Sequence, residues 1–298
     1  MPDVLEQAAW LAESVGVRAL STGVLRVRGE DARSWLNGQI TNDVSRTRAG
    51  DAVYALLVDV RGKILSDLFA LDRGDGLDLL VPPSRLAPLL AHLERYVVME
   101  DVELTGEETV VVSAQGPAAG SLGLAGFACD RLGHGGLDLL ETPLARAIEA
   151  ARALGGGLVD EEAWTLARLR AARPAYGLDF DETNYPQEAA LGPRAVSFTK
   201  GCYVGQEVVC TLESRGQLRR RLVVIAGAAL PASGTSLTRD GVEVGVVRSG
   251  VVDPADGTAI ALAYVKRASA EPGVELASAR GPVTIRYVAG GDPQRAAP

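Results

Sequence analysis

The residue best suited to chemistry is Cys202, which lies in the string Lys-Gly-Cys-Tyr-Val-Gly-Gln-Glu at residues 200–207. Gly201 and Gly205 lie on either side of the thiol and permit the backbone of a partner to approach closely. Lys200, together with the N-terminus of any helix that follows, would lower the pKa of the thiol and favour the thiolate. The string therefore predicts a reactive thiol, while residue type alone leaves open a buried cysteine that acts as a small hydrophobe.

Other common chemistries lack their residues in this sequence. It contains no Gly-x-Gly-x-x-Gly after a predicted strand, no Gly-Lys-Ser/Thr phosphate loop and no His-Glu-x-x-His. His92 and His134 are the only histidines, so no histidine triad or metal site is predicted. Stable iron–sulfur clusters usually need more thiolates than the three cysteines supply, but a transient shared ligand or a thiol relay between Cys202 and Cys210 stays open.

Length and composition predict a globular protein of two or three packed units, since the chain has 298 residues and 47% hydrophobic content. The odd number of cysteines, at no framework spacing, predicts free thiols in a reducing compartment. No run approaches the ~20 apolar residues of a membrane-spanning helix, and the N-terminus has no basic segment before an apolar one. We therefore expect a cytoplasmic protein that does not engage a membrane.

The charge balance argues against a protein that coats nucleic acid. A net charge of −8 and a pI near 5.0 give a surface that repels polyanions. The densest basic cluster is Arg215, Arg219, Arg220 and Arg221. Strong salt-dependent binding needs about six to ten phosphate contacts, so this cluster predicts no strong direct binding of nucleic acid.

Periodicity predicts mixed α and β structure before residue 215. Asp160 is the predicted N-cap of one helix and Ser84 that of another. Further helices are predicted from Ala32 and over residues 142–154, and strands over residues 24–27, 52–60, 63–71, 77–81, 97–104 and 109–113.

From residue 218 onward the pattern consists of short strands and tight turns. The predicted strands cover residues 222–226, 242–249, 258–264 and 283–288. Regular short strands without an intervening helix indicate a small barrel. We therefore predict an α+β fold with an all-β module after a boundary near residues 215–216, and a frayed tail over residues 290–298.

The string around Cys202 resembles the signature of the YgfZ family, which shares its fold with the folate-dependent T-protein of glycine cleavage. Further resemblance extends over most of the chain in the expected order, at residues 29–44, at residues 61–68, and at residues 164–177 followed by 184–189. The family positions in the string are Lys200, Gly201, Cys202, Tyr203, Gly205, Gln206 and Glu207. The resemblance favours a working thiol at Cys202 over a merely structural one.

The resemblance implies a cloverleaf of three domains around a central channel. The expected domains are a folate-binding one of residues 1–46 plus 138–214, a second of residues 47–137, and a C-terminal β-barrel of residues 215–298. It also implies a bound tetrahydrofolate and a supporting role, through Cys202 and Lys200, in assembling or repairing iron–sulfur clusters. The client enzymes would include those that modify tRNA.

Several residues are expected to contact the folate. Trp164 offers a flat apolar surface for ring stacking, with a helix-core tryptophan as the alternative. Asp67 could accept paired hydrogen bonds from a pterin edge, with a solvated strand carboxylate as the alternative. The remaining expected contacts are Asn42, Gln187 and Arg215, the last lying near the Cys202 loop to meet an anionic group.

The resemblance departs at residues 169–173, where the wider family commonly has Glu followed by Ala-Gly. Arg170 puts a cation, which cannot accept a hydrogen bond, in place of that carboxylate. Two alternatives to a folate-binding accessory factor therefore stay open. One is a folate-dependent aminomethyltransferase or related one-carbon enzyme, and the other is a protein-interaction scaffold with a vestigial folate pocket.

Overall fold

The structure is a computed structural model and describes residues 2–216 and 218–290. Its first part is a sheet in the order β2-β3-β4-β1-β5-β7-β6, with β8 pairing in parallel with β1. The strands are β1 (Gly16–Arg28), β2 (Ala52–Val58), β3 (Ile64–Asp72), β4 (Gly76–Val81), β5 (Glu103–Gln115), β6 (Phe127–Ala128), β7 (Gly136–Leu139) and β8 (Gly157–Leu158).

Helices pack around this sheet. They are α1 (Val4–Glu13), α2 (Ala32–Asn37), α3 (Leu86–Glu94), α4 (Leu144–Ala153), α5 (Glu161–Arg170), α6 (Gly192–Ala195) and α7 (Gln206–Arg215). The Asp160 carboxylate accepts a hydrogen bond from the Ala163 amide at 2.9 Å, which confirms the predicted N-cap of α5. The predicted cap at Ser84 is wrong, because Ser84 lies in a 3₁₀ turn that precedes α3 and caps nothing.

β1 has two faces with different roles. Leu25 and Val27 lie in a core with α2 and α3, whereas Val24 joins a cluster with Phe69 and Leu80 on the opposite face. β1 is much longer than the predicted residues 24–27, because backbone pairing with β5 extends through the polar residues on either side of the apolar run. The two strands predicted over residues 97–104 and 109–113 form one strand in the structure, β5, which begins at Glu103.

The C-terminal part is a closed barrel in the order β10-β11-β12-β9-β14-β13, which confirms the predicted β-barrel. Its strands are β9 (Arg220–Gly227), β10 (Ser236–Arg239), β11 (Val242–Val252), β12 (Ala259–Lys266), β13 (Glu275–Ser278) and β14 (Gly281–Val288). Val223 and Ile225 lie in the barrel core, while Leu222 and Val224 pack outward in a cluster with Leu169 of α5. This alternation fixes the end of α5 against the barrel.

The predicted division of residues 1–214 into two domains stays a prediction. β1, from the first predicted domain, pairs with both β4 and β5 from the second. The predicted tail after Gly290 lies outside the described residues.

Candidate functional site

A pocket of about 300 Å³ lies over the sheet face that carries Phe69 and Leu80. Strands β1 to β4 form its floor, and Trp164 of α5 lies in its wall together with residues 173–176. Asp67 and Trp164, predicted separately from the sequence, both line it. We call this cavity the Asp67 pocket.

Asp67 is held at the pocket wall by a neighbour on the next strand. The register pairs Leu56 with Asp67, so Tyr54 lies diagonally opposite on the same face of the sheet, and its hydroxyl donates to Asp67 Oδ2 at 2.9 Å. Asp67 Oδ1 is buried and has no hydrogen-bond partner among the described residues. Burial raises the pKa of Asp67, and burial together with the charge of Asp67 raises that of Tyr54.

Two of the arginines that line the pocket are fixed by buried carboxylates. Arg131 Nε lies 3.0 Å from Asp138 Oδ2, and the Arg131 guanidinium lies 4.8 Å from the centre of the Phe69 ring. Burial opposes the charge on Arg131, but the carboxylate of Asp138 outweighs this effect, so the pKa of Arg131 is raised. Arg168 donates to Asp179 at 2.5 Å. Asp179 also accepts a hydrogen bond from the backbone N–H of Ser249 in β11, so it connects the pocket wall to the barrel.

Two further arginines are less completely neutralised. Arg194 lies 4.8 Å from the centre of the Tyr54 ring and donates to the Asp130 carbonyl at 2.7 Å. Arg173 lies 3.6 Å from the Asp130 carboxylate, and its Nε is buried without a hydrogen-bond partner among the described residues. Burial and the neighbouring Arg194 lower the pKa of Arg173. These cations favour an anionic group at the pocket.

Trp164 lies between a packed cluster and the Asp67 pocket. It packs against a small cluster of Leu11, Leu132 and Val159 and is only partly buried. It also lines the Asp67 pocket. The packed cluster therefore fixes the indole while part of it remains available to a ligand.

Arg170 does not line the pocket. It lies at the end of α5 and makes a bidentate ion pair with Asp253, at 2.8 and 2.7 Å. The helix turns its side chain toward the barrel, whereas Trp164 and Arg168, four residues apart on one face, both reach the pocket. The cation at position 170 therefore does not stand where a pterin would bind in this pocket.

The loop that carries Cys202 lies apart from the pocket lining. Cys202 is exposed, and the Tyr203 side chain beside it is buried. Burial and the neighbouring Cys210 raise the pKa of Tyr203. The predicted helix beyond the thiol is α7, which places Gln206 and the exposed Glu207 in its first turn.

The two glycines of this loop are not equivalent. Gly205 has φ +78°, and a Cβ on it would lie 2.4 Å from the Asp59 carbonyl oxygen, so only glycine fits. A Cβ on Gly201 would meet open space. Close approach to the thiol is therefore sterically open on the Gly201 side.

Lys200 uses its ammonium on backbone rather than on the thiol. Nζ donates to the carbonyls of Asn37, Ile40 and Asn42 at 2.6, 2.8 and 2.8 Å. Burial lowers the pKa of Lys200 to about 8, and the charge of Asp43 opposes this effect. None of these hydrogen bonds reaches Cys202.

The structure places Asn42, Gln187 and Arg215 outside the Asp67 pocket. Asn42 Nδ2 donates to the carbonyls of Tyr54 and Arg194, at 2.9 and 3.4 Å. It therefore contacts the backbone of two residues that line the pocket without lining the pocket itself. Gln187 donates to the Val209 carbonyl and lines a second cavity of about 290 Å³ beside the barrel. Arg215 is exposed at the far end of α7, about 15 Å along the helix axis from the Cys202 loop.

Sequence reasoning missed Tyr54 and the arginines that line the pocket. Arg173 and Arg168 lie in a segment singled out by the family resemblance, which is the signal that could have found them. Arg131 comes from a loop and Arg194 from α6, both distant in sequence from Asp67, and only the tertiary structure brings them to it.

The three cysteines occupy different environments. Cys129 is buried beneath the sheet face, where burial and Asp138 raise its pKa, and Cys210 lies half-buried in α7. Among residues 2–216 and 218–290, no three His, Cys, Asp or Glu side chains are grouped so that they could hold a metal ion. In the same part of the chain, no helix has both the length and the apolar character needed to span a membrane.

Comparison with known proteins defines the class. The GCVT N-terminal domain profile matches residues 2–127, and that of the glycine cleavage T-protein C-terminal barrel domain matches residues 219–289. The aminomethyltransferase of Rubrobacter xylanophilus is 32% identical over 302 residues, which cover 89% of this chain and 79% of that protein. The chain belongs to the glycine cleavage T-protein, or aminomethyltransferase, family.

Proteins named YgfZ, rather than aminomethyltransferase, are also similar to this chain. The tRNA-modifying protein YgfZ of Photorhabdus laumondii is 27% identical over 246 residues, which cover 72% of each chain. The crystal structure of aminomethyltransferase T from Bartonella henselae superposes with a TM-score of 0.78 at 23% identity, covering 95% of this chain and 88% of that one. This likeness confirms the predicted aminomethyltransferase-like fold, while the narrower YgfZ assignment stays a prediction.

Proposed function

We propose that this chain binds a tetrahydrofolate in the Asp67 pocket and acts, through Cys202, as a cytoplasmic accessory factor for iron–sulfur enzymes. The observation that carries the binding proposal is the buried Asp67 Oδ1, which has no hydrogen-bond partner among the described residues. A buried carboxylate oxygen without a partner is costly, and a ligand N–H would remove that cost. Pterins carry adjacent N–H donors that suit a carboxylate.

The other pocket residues fit the remaining parts of the ligand. Trp164 would contact an aromatic ring, a contact worth about 0.5–1.5 kcal/mol beyond burial. The buried Nε of Arg173, which has no hydrogen-bond partner within the described part of the chain, would donate to an anionic tail. Arg170 supported the idea of a vestigial pocket, and its ion pair with Asp253 removes that support.

The accessory role rests on the placement of Cys202. The thiol is exposed on a loop outside the pocket lining, so a partner protein can reach it while the pocket is filled. An iron–sulfur cluster would bind Cys202 only in passing, as a group delivered to a client enzyme. Cys129 is buried, and the described residues form no metal-holding group with Cys202. Client enzymes that modify tRNA would account for the description of the YgfZ relatives as tRNA-modifying proteins.

Indirect action on tRNA is favoured because the predicted basic cluster is small and one of its arginines already has an acidic partner. Arg220 lies 3.4 Å from Glu188 and 4.7 Å from the Tyr264 ring centre, whereas Arg221 lines the cavity beside the barrel. Arg215 lies at the end of α7. Strong salt-dependent binding needs about six to ten phosphate contacts, which four arginines cannot supply.

Aminomethyl transfer is the second candidate function. It is favoured by the relative of that name with 32% identity over most of this chain. Under this alternative the Asp67 pocket would hold the one-carbon acceptor, and Cys202 would be dispensable. The two candidates therefore differ in what they require of Cys202.

Calorimetry with tetrahydrofolate tests the binding proposal. Wild type should bind, Asp67→Ala should bind more weakly by about 1.5–3 kcal/mol, and Cys202→Ser should bind as wild type does. Equal affinity of wild type and Asp67→Ala, with both folded, would remove the ligand from this pocket.

Complementation of a bacterium that lacks its YgfZ-family protein then separates the two candidates. Wild type should restore iron–sulfur enzyme activity and Cys202→Ser should not. Restoration by both proteins, together with folate-dependent transfer of a one-carbon unit in vitro, would favour the aminomethyltransferase.

A further inference from the structure

The loop of residues 197–204 and the segment of residues 37–44 are joined mainly by one side chain. Lys200 Nζ has three N–H donors, and each is used on a backbone carbonyl of Asn37, Ile40 or Asn42. An ammonium has no further donor to offer once these are made. Two backbone bonds flank this contact, from Ser197 N to the Thr41 carbonyl and from Val204 N to the Gly38 carbonyl.

The same segment reaches the Asp67 pocket. Asn42 receives Lys200 on its carbonyl and donates through its side chain to the carbonyls of Tyr54 and Arg194. Tyr54 and Arg194 both line the pocket, and Tyr54 binds Asp67. Hydrogen bonds made by Asn42 and Tyr54, through both their backbone and their side chains, therefore connect the Cys202 loop to the pocket wall.

We propose that Lys200 is a positioning residue that anchors the Cys202 loop on residues 37–42 and, through Asn42, couples the conformation of that loop to occupancy of the Asp67 pocket. The coupling to the ligand rests on the proposed function, whereas the anchoring does not. In this arrangement Lys200 holds the Cys202 loop in place through hydrogen bonds to three backbone carbonyls.

Hydrogen exchange tests the anchor on the full-length protein. In Lys200→Met, amides of residues 197–204 and 37–44 should exchange about tenfold faster than in wild type at neutral pH, because the loop opens locally. The matched control is Lys266→Met, which removes an exposed barrel lysine that also donates to a backbone carbonyl and should leave both segments unchanged. Wild-type exchange rates in Lys200→Met would overturn the proposal.

A second variant and a second readout separate anchoring from thiol activation. Lys200→Arg keeps the charge, but its planar guanidinium cannot meet all three carbonyls as the ammonium does, so its exchange should lie between those of wild type and Lys200→Met. Alkylation of Cys202 by iodoacetamide against pH should keep its midpoint in Lys200→Met. A midpoint moved to higher pH with unchanged exchange would assign Lys200 to thiol activation instead.

The coupling is tested by adding tetrahydrofolate. In wild type the ligand should slow exchange of residues 197–204 by about threefold, and Lys200→Met should lose this effect while still binding the ligand. Protection of the loop in Lys200→Met equal to that in wild type would overturn the coupling. If wild type binds no tetrahydrofolate by calorimetry, the proposed function fails, and the ligand-free exchange rates still decide the anchor.

Discussion

The Asp67 pocket and the Cys202 loop hold their functional groups in opposite ways. In the pocket, side chains from strands, loops and helices converge, and buried charges are fixed by other side chains, as Asp138 fixes Arg131. In the loop, the thiol is exposed, and its position depends on backbone geometry at Gly205 and on carbonyls bound by Lys200. The pocket should therefore be sensitive to side-chain changes, and the loop to backbone changes.

The largest effect is expected from breaking the ion pair between Arg131, which lines the pocket, and the buried Asp138. Asp138→Ala leaves Arg131 without its carboxylate and should lower the free energy of unfolding by about 3 kcal/mol. The control is Glu141→Gln, which removes the largely exposed partner of Arg73 and should change stability by less than about 0.5 kcal/mol. Urea denaturation measures both, and a loss below about 1 kcal/mol in Asp138→Ala would contradict a pocket held by side-chain charge.

The glycines test the loop side of the comparison. Gly205→Ala forces a left-handed residue and a clash with the Asp59 carbonyl, so it should cost about 2–3 kcal/mol. Gly201→Ala meets open space and should cost less than about 0.5 kcal/mol. Equal denaturation midpoints for the two variants would show that backbone geometry does not hold this loop.

Truncation of Trp164 tests ligand contact in the pocket. Trp164→Ala should weaken tetrahydrofolate binding by about 1–3 kcal/mol, because stacking and burial are both lost. Calorimetry is the measurement, with circular dichroism to show that the fold persists after the Leu11 cluster loses its indole. Unchanged affinity would take Trp164 out of the site.

The pH dependence of binding tests the charge state of Asp67. A ligand N–H is held best by the ionised carboxylate, and burial raises the pKa of Asp67. The affinity of wild type relative to Asp67→Asn should therefore fall as pH is lowered, starting above the usual range of an aspartate, by up to about 1.5 kcal/mol. Dividing the wild-type affinity by the Asp67→Asn affinity at each pH cancels the effect of any protonation of the ligand. A constant ratio from neutral pH to pH 4 would contradict an ionised Asp67 as the acceptor.

The smallest physical effect is expected at Cys202 itself. Cys202→Ser should change the free energy of unfolding by less than about 0.5 kcal/mol, since the side chain is exposed. Differential scanning calorimetry checks this, and a clear loss of stability would assign the thiol a structural role. Loss of cellular function without loss of stability is the combination we expect.

Local pattern predicted the parts of the fold that depend on neighbours in sequence. The Asp160 cap, the turn-rich barrel and the α+β class follow from residue type and period, and all are confirmed. The Ser84 cap failed because Pro83 starts a 3₁₀ turn, which shifts the beginning of α3 by one residue, to Leu86.

Some residues of the candidate site could likewise be predicted from the sequence, and others could not. The Cys202 string and the roles suggested for Asp67 and Trp164 were available from the sequence, because they lie in contiguous segments with a recognisable signature. The direction of Arg170 was not, since one helix face meets the pocket and the other meets Asp253 of the barrel.

By itself, the sequence determined the elements, the barrel and a contiguous thiol motif, because each depends on interactions within a short stretch of chain. Only the tertiary structure decided that Arg131, Arg173 and Arg194 meet around the Asp67 pocket and that Lys200 binds carbonyls. Those contacts join residues far apart in the chain, and burial within the folded core sets both their geometry and the pKa of Asp67.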